Sequence, residues 1–243
     1  MNLKKIGILS GVCLGLTLSG LCRAEADMDL IYKVSEDLRI DEGTLEVWVK
    51  PEVDFLASVE DFYRFFIARI TVGERYYGDE LFLSLVWHEK SGLSVFGKRG
   101  EQSIVGLPED GRPPSLTWEA GDWHHVAFSW KGEDVVLYVD GENFRSVTLA
   151  EPLRIEGKTS VVLGYSNSQV TVGEVCFSER QRSAQEIQER FESGLFRDEA
   201  TLFYDSMNPD EQGEVPRSWL NDRVGEPVEG HAPGKFGYKL FQE

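Results

Sequence analysis

Trp123-His-His-Val-Ala-Phe-Ser-Trp130, then Lys131-Gly-Glu-Asp134, then Val135-Val-Leu-Tyr-Val-Asp-Gly141, is the stretch on which the fold of this 243-residue chain turns. Both apolar runs alternate. Val126, Phe128 and Trp130 share one face of the first, and Val135, Leu137 and Val139 share one face of the second. A short polar loop joins them. Asp140-Gly141 then supplies a residue pair that tolerates the positive φ of a tight turn. One β-hairpin therefore feeds directly into another.

The same rhythm extends in both directions. Thr44-Leu-Glu-Val-Trp-Val-Lys50 places Leu45, Val47 and Val49 on one face and Thr44, Glu46, Trp48 and Lys50 on the other, and Pro51 ends the run. Residues 62–72 form a longer aromatic and β-branched run. Leu81–Trp87 and Leu93–Phe96, separated by a polar loop, are expected to pair as a further hairpin. A Pro/Gly-rich connection, 107–114, precedes the opening stretch. Short strands about every ten residues, with no βαβ rhythm, indicate an all-β sandwich or barrel. One helix interrupts them. Ser183 with Glu186 makes a capping box, Ile187 and Phe191 stack at i, i+4, and Gly194 stops a helix of about two turns. From Asp205 onward the chain is rich in Pro, Gly and acid. Ala200–Tyr204 still looks strand-like, so the tail is expected to pack on the main domain.

The N-terminus has the three parts of an export signal: Lys4 and Lys5, the apolar stretch Ile6–Leu21, and small residues at which either Ala24 or Ala26 precedes the cut. The apolar stretch is shorter than the roughly 20 residues a membrane-spanning helix needs. Residues 1–24 are therefore assigned to a cleaved signal and the protein to the periplasm or the extracellular space. Lipid attachment at Cys22 is the alternative, although Leu21 is a poor residue before a lipidated cysteine. The mature chain then keeps Cys176 alone, so no intramolecular disulfide is available and the fold must rest on its core. Cys176, between Val175 and Phe177, is expected to be a small buried hydrophobe. Loss of Lys4, Lys5 and Arg23 takes the formal charge from −17 to −20. Such a surface repels nucleic acid and anionic lipid.

Four blocks together resemble the laminin G-like, concanavalin A-like jelly-roll family. They are Gly43–Pro51, Gly121–Trp130 with Leu137–Gly141, Val161–Tyr165, and Gly173–Phe177 with Ser183–Ile187. The resemblance covers residues 28–196 and leaves 197–243 as an extension. It implies a jelly-roll β-sandwich. Gly173 stands where the family usually carries Asp, which puts any polar or ion-binding role there in doubt. Pro233–Phe241 looks like the segment that normally precedes the opening strand of such a domain, so the C-terminus is expected to fill an edge place in the sandwich.

Relatives of this kind include polysaccharide-active enzymes. A retaining glycosidase needs two carboxylates about 5 Å apart, carried at i and i+2 or i+4 of one strand. No such run is present, and Glu46 is the only acid inside its strand, so no catalytic residue is assigned. His124 and His125 point to opposite faces of a strand and cannot chelate one ion, and His88 and His231 are isolated. No compact acidic loop gathers the six or so oxygens a hard cation needs. No metal or cofactor is expected, with Ca²⁺ at Glu133, Asp134 or Asp140 as the alternative. Aromatic side chains at strand ends and loops are the candidates for contact with ligand: Tyr76, Tyr77, Trp87 and Trp118. The expected function is a secreted, non-catalytic recognition module for glycan or protein surfaces. The alternatives are a polysaccharide-active sandwich enzyme and a structural or assembly component that engages a partner with its tail.

Overall fold

A computed structural model describes residues 30–52, 64–73, 80–88, 92–107, 118–163, 170–207, 226–229 and 236–239. They form two antiparallel sheets and one helix. The first sheet runs β1 (Leu30–Ile40), β10 (Ile155–Leu163), β3 (Arg64–Val72), β4 (Leu81–His88), β5 (Gly92–Arg99) and β6 (Gln102–Leu107). The second runs β13 (Glu226–Glu229), β14 (Phe236–Lys239), β11 (Val170–Ser178), β2 (Glu42–Pro51), β7 (His124–Lys131), β8 (Asp134–Val139) and β9 (Glu142–Thr148). β12 (Thr201–Asp205) also pairs with β11. This is the jelly-roll sandwich expected from the sequence. The signal segment 1–24, Cys22 and the Pro/Gly-rich 108–117 lie outside the described residues. Among the described residues no helix is long and apolar enough to cross a membrane.

Alternation decides which residues fill the space between the sheets. Leu45, Val47 and Val49 of β2, Val126, Phe128 and Trp130 of β7, and Val135 and Leu137 of β8 meet Ile70, Leu83, Leu85 and Val161 of the other sheet in one core. The opening hairpins form as their turn residues dictate. β7 and β8 close around Gly132 (φ 57°) with Lys131 opposite Asp134. β8 and β9 close on Asp140 (φ 51°) and Gly141 (φ 82°) with Val139 opposite Glu142. Positive φ at both central residues is the twist that a two-residue hairpin requires.

β2 departs from the half-exposed pattern, because its outward residues Thr44, Glu46 and Trp48 are buried as deeply as its inward ones. The cause is α1 (Ala184–Ser193), which lies across the outer face of the second sheet. Ile187 packs on Ala127 and Tyr138, and Phe191 packs with Trp48, Cys176 and Leu195. Ser183 caps the helix as expected. Its Oγ accepts from Glu186 N (3.3 Å) while Glu186 Oε2 accepts from Ser183 N (2.9 Å). The helix ends at Gly194 as expected, its ten residues making nearly three turns where about two were expected.

One strand is not visible in the alternation, whereas the C-terminus takes the edge place expected of it. β1 is interrupted by register shifts between Lys33 and Ser35 and between Ser35 and Leu38, so its apolar residues fall out of period. The edge of β11 away from β2 is divided. β12 pairs with Val175–Ser178, and β14 pairs at Thr171–Lys239 and Val172–Tyr238, so the C-terminus enters its own sheet.

Gly43 faces Trp130, and an added Cβ would overlap the indole ring, which is fully buried. Gly43→Ala should therefore cost about 1–3 kcal/mol of overpacking, read as a lowered urea midpoint at unchanged m-value. Ending the chain before Glu226 removes β13 and β14 and uncovers the β11 edge at Thr171–Val172. The shortened protein should self-associate more than the full chain in light scattering, because an open strand edge is a template for pairing.

Candidate functional site

Of the four aromatic residues put forward from the sequence, the two that are described are not at the surface. Trp87 and Trp118 are 3 % and 2 % exposed. Trp87 stacks on Trp118 (5.5 Å between centroids), and Trp118 stacks on the His124 ring (4.3 Å, 4° between planes). The three form a column inside the sandwich, so the expected exposure of the two tryptophans is corrected. Trp87 is inside because it continues the inward row of β4 begun by Leu83 and Leu85. Tyr76 and Tyr77 lie outside the described residues.

The two histidines point to opposite faces as strand geometry demands, but their exposures are the reverse of a simple inside–outside assignment. His124, on the core side, keeps 16 % of its side chain exposed. Its Nδ1 lies 2.9 Å from Asp140 Oδ2, while Asp140 Oδ1 accepts from His125 N (2.9 Å). Asp140 therefore ties the β8–β9 turn to the start of β7 as well as adopting the turn's backbone. His125, on the outer face, is wholly buried beneath α1, with Nε2 3.5 Å from Glu46 Oε1.

Glu46 sits at the centre of a closed charge cluster. Arg190 Nε, from the apolar stripe of α1, donates to both of its oxygens (3.0 and 2.8 Å). Arg182 Nε lies 3.2 Å from Glu46 Oε2. The same guanidinium donates to Asp198 Oδ2 (2.8 Å), Asp198 Oδ1 (3.1 Å) and Ser178 Oγ (2.7 Å). Burial pushes the Glu46 carboxyl up, but the His125 ring and the Arg190 and Arg182 guanidiniums outweigh it and hold it below its usual 4.5. Hydrogen bonds from Arg182 hold Asp198 well below the carboxylate range. Cys176 lies in the same layer, fully buried, its thiol pushed up by burial. Glu46, Arg190 and Arg182 are sealed from solvent and Asp198 is partly exposed at the rim, so the centre of the cluster is taken up in holding the helix on the sheet.

At Gly173 the structure supplies a packing reason for the departure from the family pattern. An added Cβ would lie 3.0–3.1 Å from the Trp123 ring and 3.2 Å from Trp48 Cβ. An aromatic wall fills the space where a polar side chain would stand. Among the described residues no group of three or more His, Cys, Asp or Glu is placed to hold a metal ion.

What remains open on the outer face of the second sheet is a trough of about 430 Å³ where α1 stops covering it. Its floor is the outward faces of β8 and β9: Asp134 opposite Thr148, Val136 opposite Ser146, and Tyr138. Its wall is Gln181-Arg182-Ser183, the segment entering α1. Thr148 Oγ1 donates to Asp134 Oδ1 (3.1 Å). Burial against Ile187 pushes the Tyr138 phenol up, which keeps it a neutral hydroxyl. This volume is in the range of small-molecule sites, whereas the recess between Arg99 and Leu149–Leu153, about 90 Å³, is far below it. None of the trough residues was singled out from the sequence as a glycan contact. The available signal was the outward row Asp134, Val136, Tyr138 ending at an edge strand.

A family model described as the concanavalin A-like lectin/glucanases superfamily matches residues 31–188. No curated protein sequence matches the chain. Among solved structures, a native heptameric SAP-like pentraxin from Limulus polyphemus is 12 % identical, with a TM-score of 0.52 over 92 % of this chain and 90 % of that one. The ligand binding domain of botulinum neurotoxin serotype D, in complex with N-acetylneuraminic acid, is 13 % identical, with a TM-score of 0.48 over 71 % of this chain and 43 % of that one. A Trypanosoma rangeli sialidase is 15 % identical, with a TM-score of 0.41 over 62 % of this chain and 22 % of that one. This chain thus spans under half the length of the toxin domain and under a quarter of the sialidase.

The charge cluster makes a prediction about stability. Glu46→Gln leaves two buried guanidiniums undercompensated and should cost about 3–5 kcal/mol at pH 7 by urea denaturation. The folded-state carboxyl titrates below its ordinary value, so its stabilisation is complete above about pH 4.5 and is lost as pH falls through the lower folded value. The variant should therefore show a shallower loss of stability below pH 4.5 than the parent. Glu186, held at about 2 chiefly by a hydrogen bond from Arg180, supplies part of the slope that remains.

Proposed function

The chain belongs to the concanavalin A-like lectin/glucanase superfamily, and from that premise we propose that it is an exported, non-catalytic recognition module that binds glycan in the trough beside α1. The observation that carries the non-catalytic part is the composition of that trough. Asp134 is the single carboxylate among the described residues lining it. Glycoside hydrolysis asks for two carboxyl groups, one on each side of the scissile bond. Glu46, the acid at the centre of β2, is sealed under α1 and held by two arginines.

The trough suits hydroxylated ligands. Ser146, Thr148, Ser183 and Gln181 offer donors and acceptors, and Tyr138 and Val136 offer apolar surface. Export is supported by Lys4 and Lys5, the apolar stretch Ile6–Leu21 and the small residues around Ala24. The assembly reading is weakened because β14 already pairs with β11 of its own chain, which engages the tail internally.

A glycan array with the mature protein, run with and without Ca²⁺, tests the proposal. At least one glycan class should bind, and Ser146→Tyr, an exposed position on the trough floor, should abolish that binding without lowering the urea midpoint. An array with no signal in either condition would sink it.

A further inference from the structure

Which saccharides the trough can take is decided by the charges along it. The lining contains one anion, Asp134, and one cation, Arg182. The cation is not available to a ligand. Arg182 is 2 % exposed, donates to Asp198 and Ser178, and lies 3.2 Å from Glu46. Arg180, just before it, donates to Glu186 and lies 3.6 Å from Asp198. Lys131, on the next strand, donates to Glu42 (3.2 Å). Arg182 and Arg180 thus already face carboxylates of their own chain, and Lys131, exposed and opposite Asp134 in register, is held toward Glu42 of β2.

The anion is available. Asp134 is exposed, and a hydroxyl, Thr148 Oγ1, is its neighbour on the floor. Around it the whole chain carries a formal charge of −17. A carboxylated or sulfated sugar entering the trough meets Asp134, while Arg182, the one cation among the described lining residues, is committed to carboxylates of the chain, and the field of the protein opposes its approach. A hexose hydroxyl can donate to Asp134. An ammonium group can do so with charge assistance.

Resting on the assignment of the trough as the binding site, we propose that it admits uncharged and amine-bearing saccharides and turns away carboxylated or sulfated ones. Asp134 selects, and the internal engagement of Arg182 keeps the selection one-sided.

The test is an array of matched oligosaccharides, in which neutral, sialylated, sulfated and amine-bearing members share one core, probed with the parent, Asp134→Asn and Ser146→Tyr proteins at low and high salt. The parent should bind the neutral and amine-bearing members and bind their sialylated and sulfated partners at least about tenfold more weakly, with the gap narrowing at high salt. Asp134→Asn should weaken the amine-bearing members and raise the anionic ones while leaving the fold intact by thermal melt. Sialylated and neutral partners bound equally by the parent, both lost in Ser146→Tyr, would overturn the charge selection and leave the trough as the site. Silence across the whole array would overturn the site itself.

Discussion

The Glu46 carboxylate, gripped by Arg190 from above and Arg182 from the side, is the contact on which the outer half of this structure depends. A carboxylate taken wholly out of water is costly unless it is paired and its remaining lone pairs are hydrogen-bonded. The chain meets that condition only when α1 lies across β2, β7 and β11 in one position, with Arg190 over Glu46 and Phe191 over Trp48 (5.7 Å, stacked). Replacing such a cluster by apolar residues of similar volume is often neutral for stability. Its contribution is therefore better described as fixing where the helix sits. Ile187 and Phe191 alone would hold a helix on an apolar strip in more than one register.

That placement has consequences at both ends of the helix. At the C-terminal end, Arg190 Nη1 donates to Phe196 O (3.0 Å) and Glu174 accepts from Leu195 N (2.8 Å), which leads the chain toward β12. At the N-terminal end, Thr44 Oγ1 accepts from Arg182 N (2.9 Å) and donates to Arg180 O (2.9 Å), which pins the segment before the cap on β2. The helix therefore covers Tyr138 but leaves Asp134, Ser146 and Thr148 exposed, and the trough is the strip it leaves open.

Much of the sandwich was legible because period-two alternation and turn chemistry are local signals. β2, β7 and β8 announce themselves through Leu45-Val47-Val49, Val126-Phe128-Trp130 and Val135-Leu137-Val139, and Asp140-Gly141 fixes the register between β8 and β9. α1 was equally readable, since Ser183 and Glu186 act within one turn. β1 was not, because its bulges break the period on which recognition depends. Exposure was the least legible property. Trp87 and Trp118 lie near strand ends in the sequence, yet whether a strand end is open is settled by what packs over it, here His124 and each other. The charge cluster did leave a trace. Arg190 falls on the same helical face as Ile187 and Phe191, and Glu46 falls mid-strand between Leu45 and Val47, in the same row as Trp48. A cation in an apolar stripe and an acid in an apolar strand are each costly alone and compatible only together.

The residues that make the fold recognisable are therefore poor candidates for function, for a physical reason. Gly43 is needed because Trp130 leaves no room for a Cβ, Asp140 because it holds His124 and the His125 amide, and Glu46 because two arginines need an anion. Each has its polar atoms or its space taken by the scaffold. Groups free to meet a ligand must lie where the scaffold's demands end. On the outer face of the second sheet that boundary is the β8–β9 strip. There Asp134, Ser146 and Thr148 are exposed, bonded to one another or to close neighbours, and under no obligation to the core. Chains sharing this sandwich can differ along such a strip while keeping every contact that builds the fold, so membership of the superfamily alone does not specify the ligand.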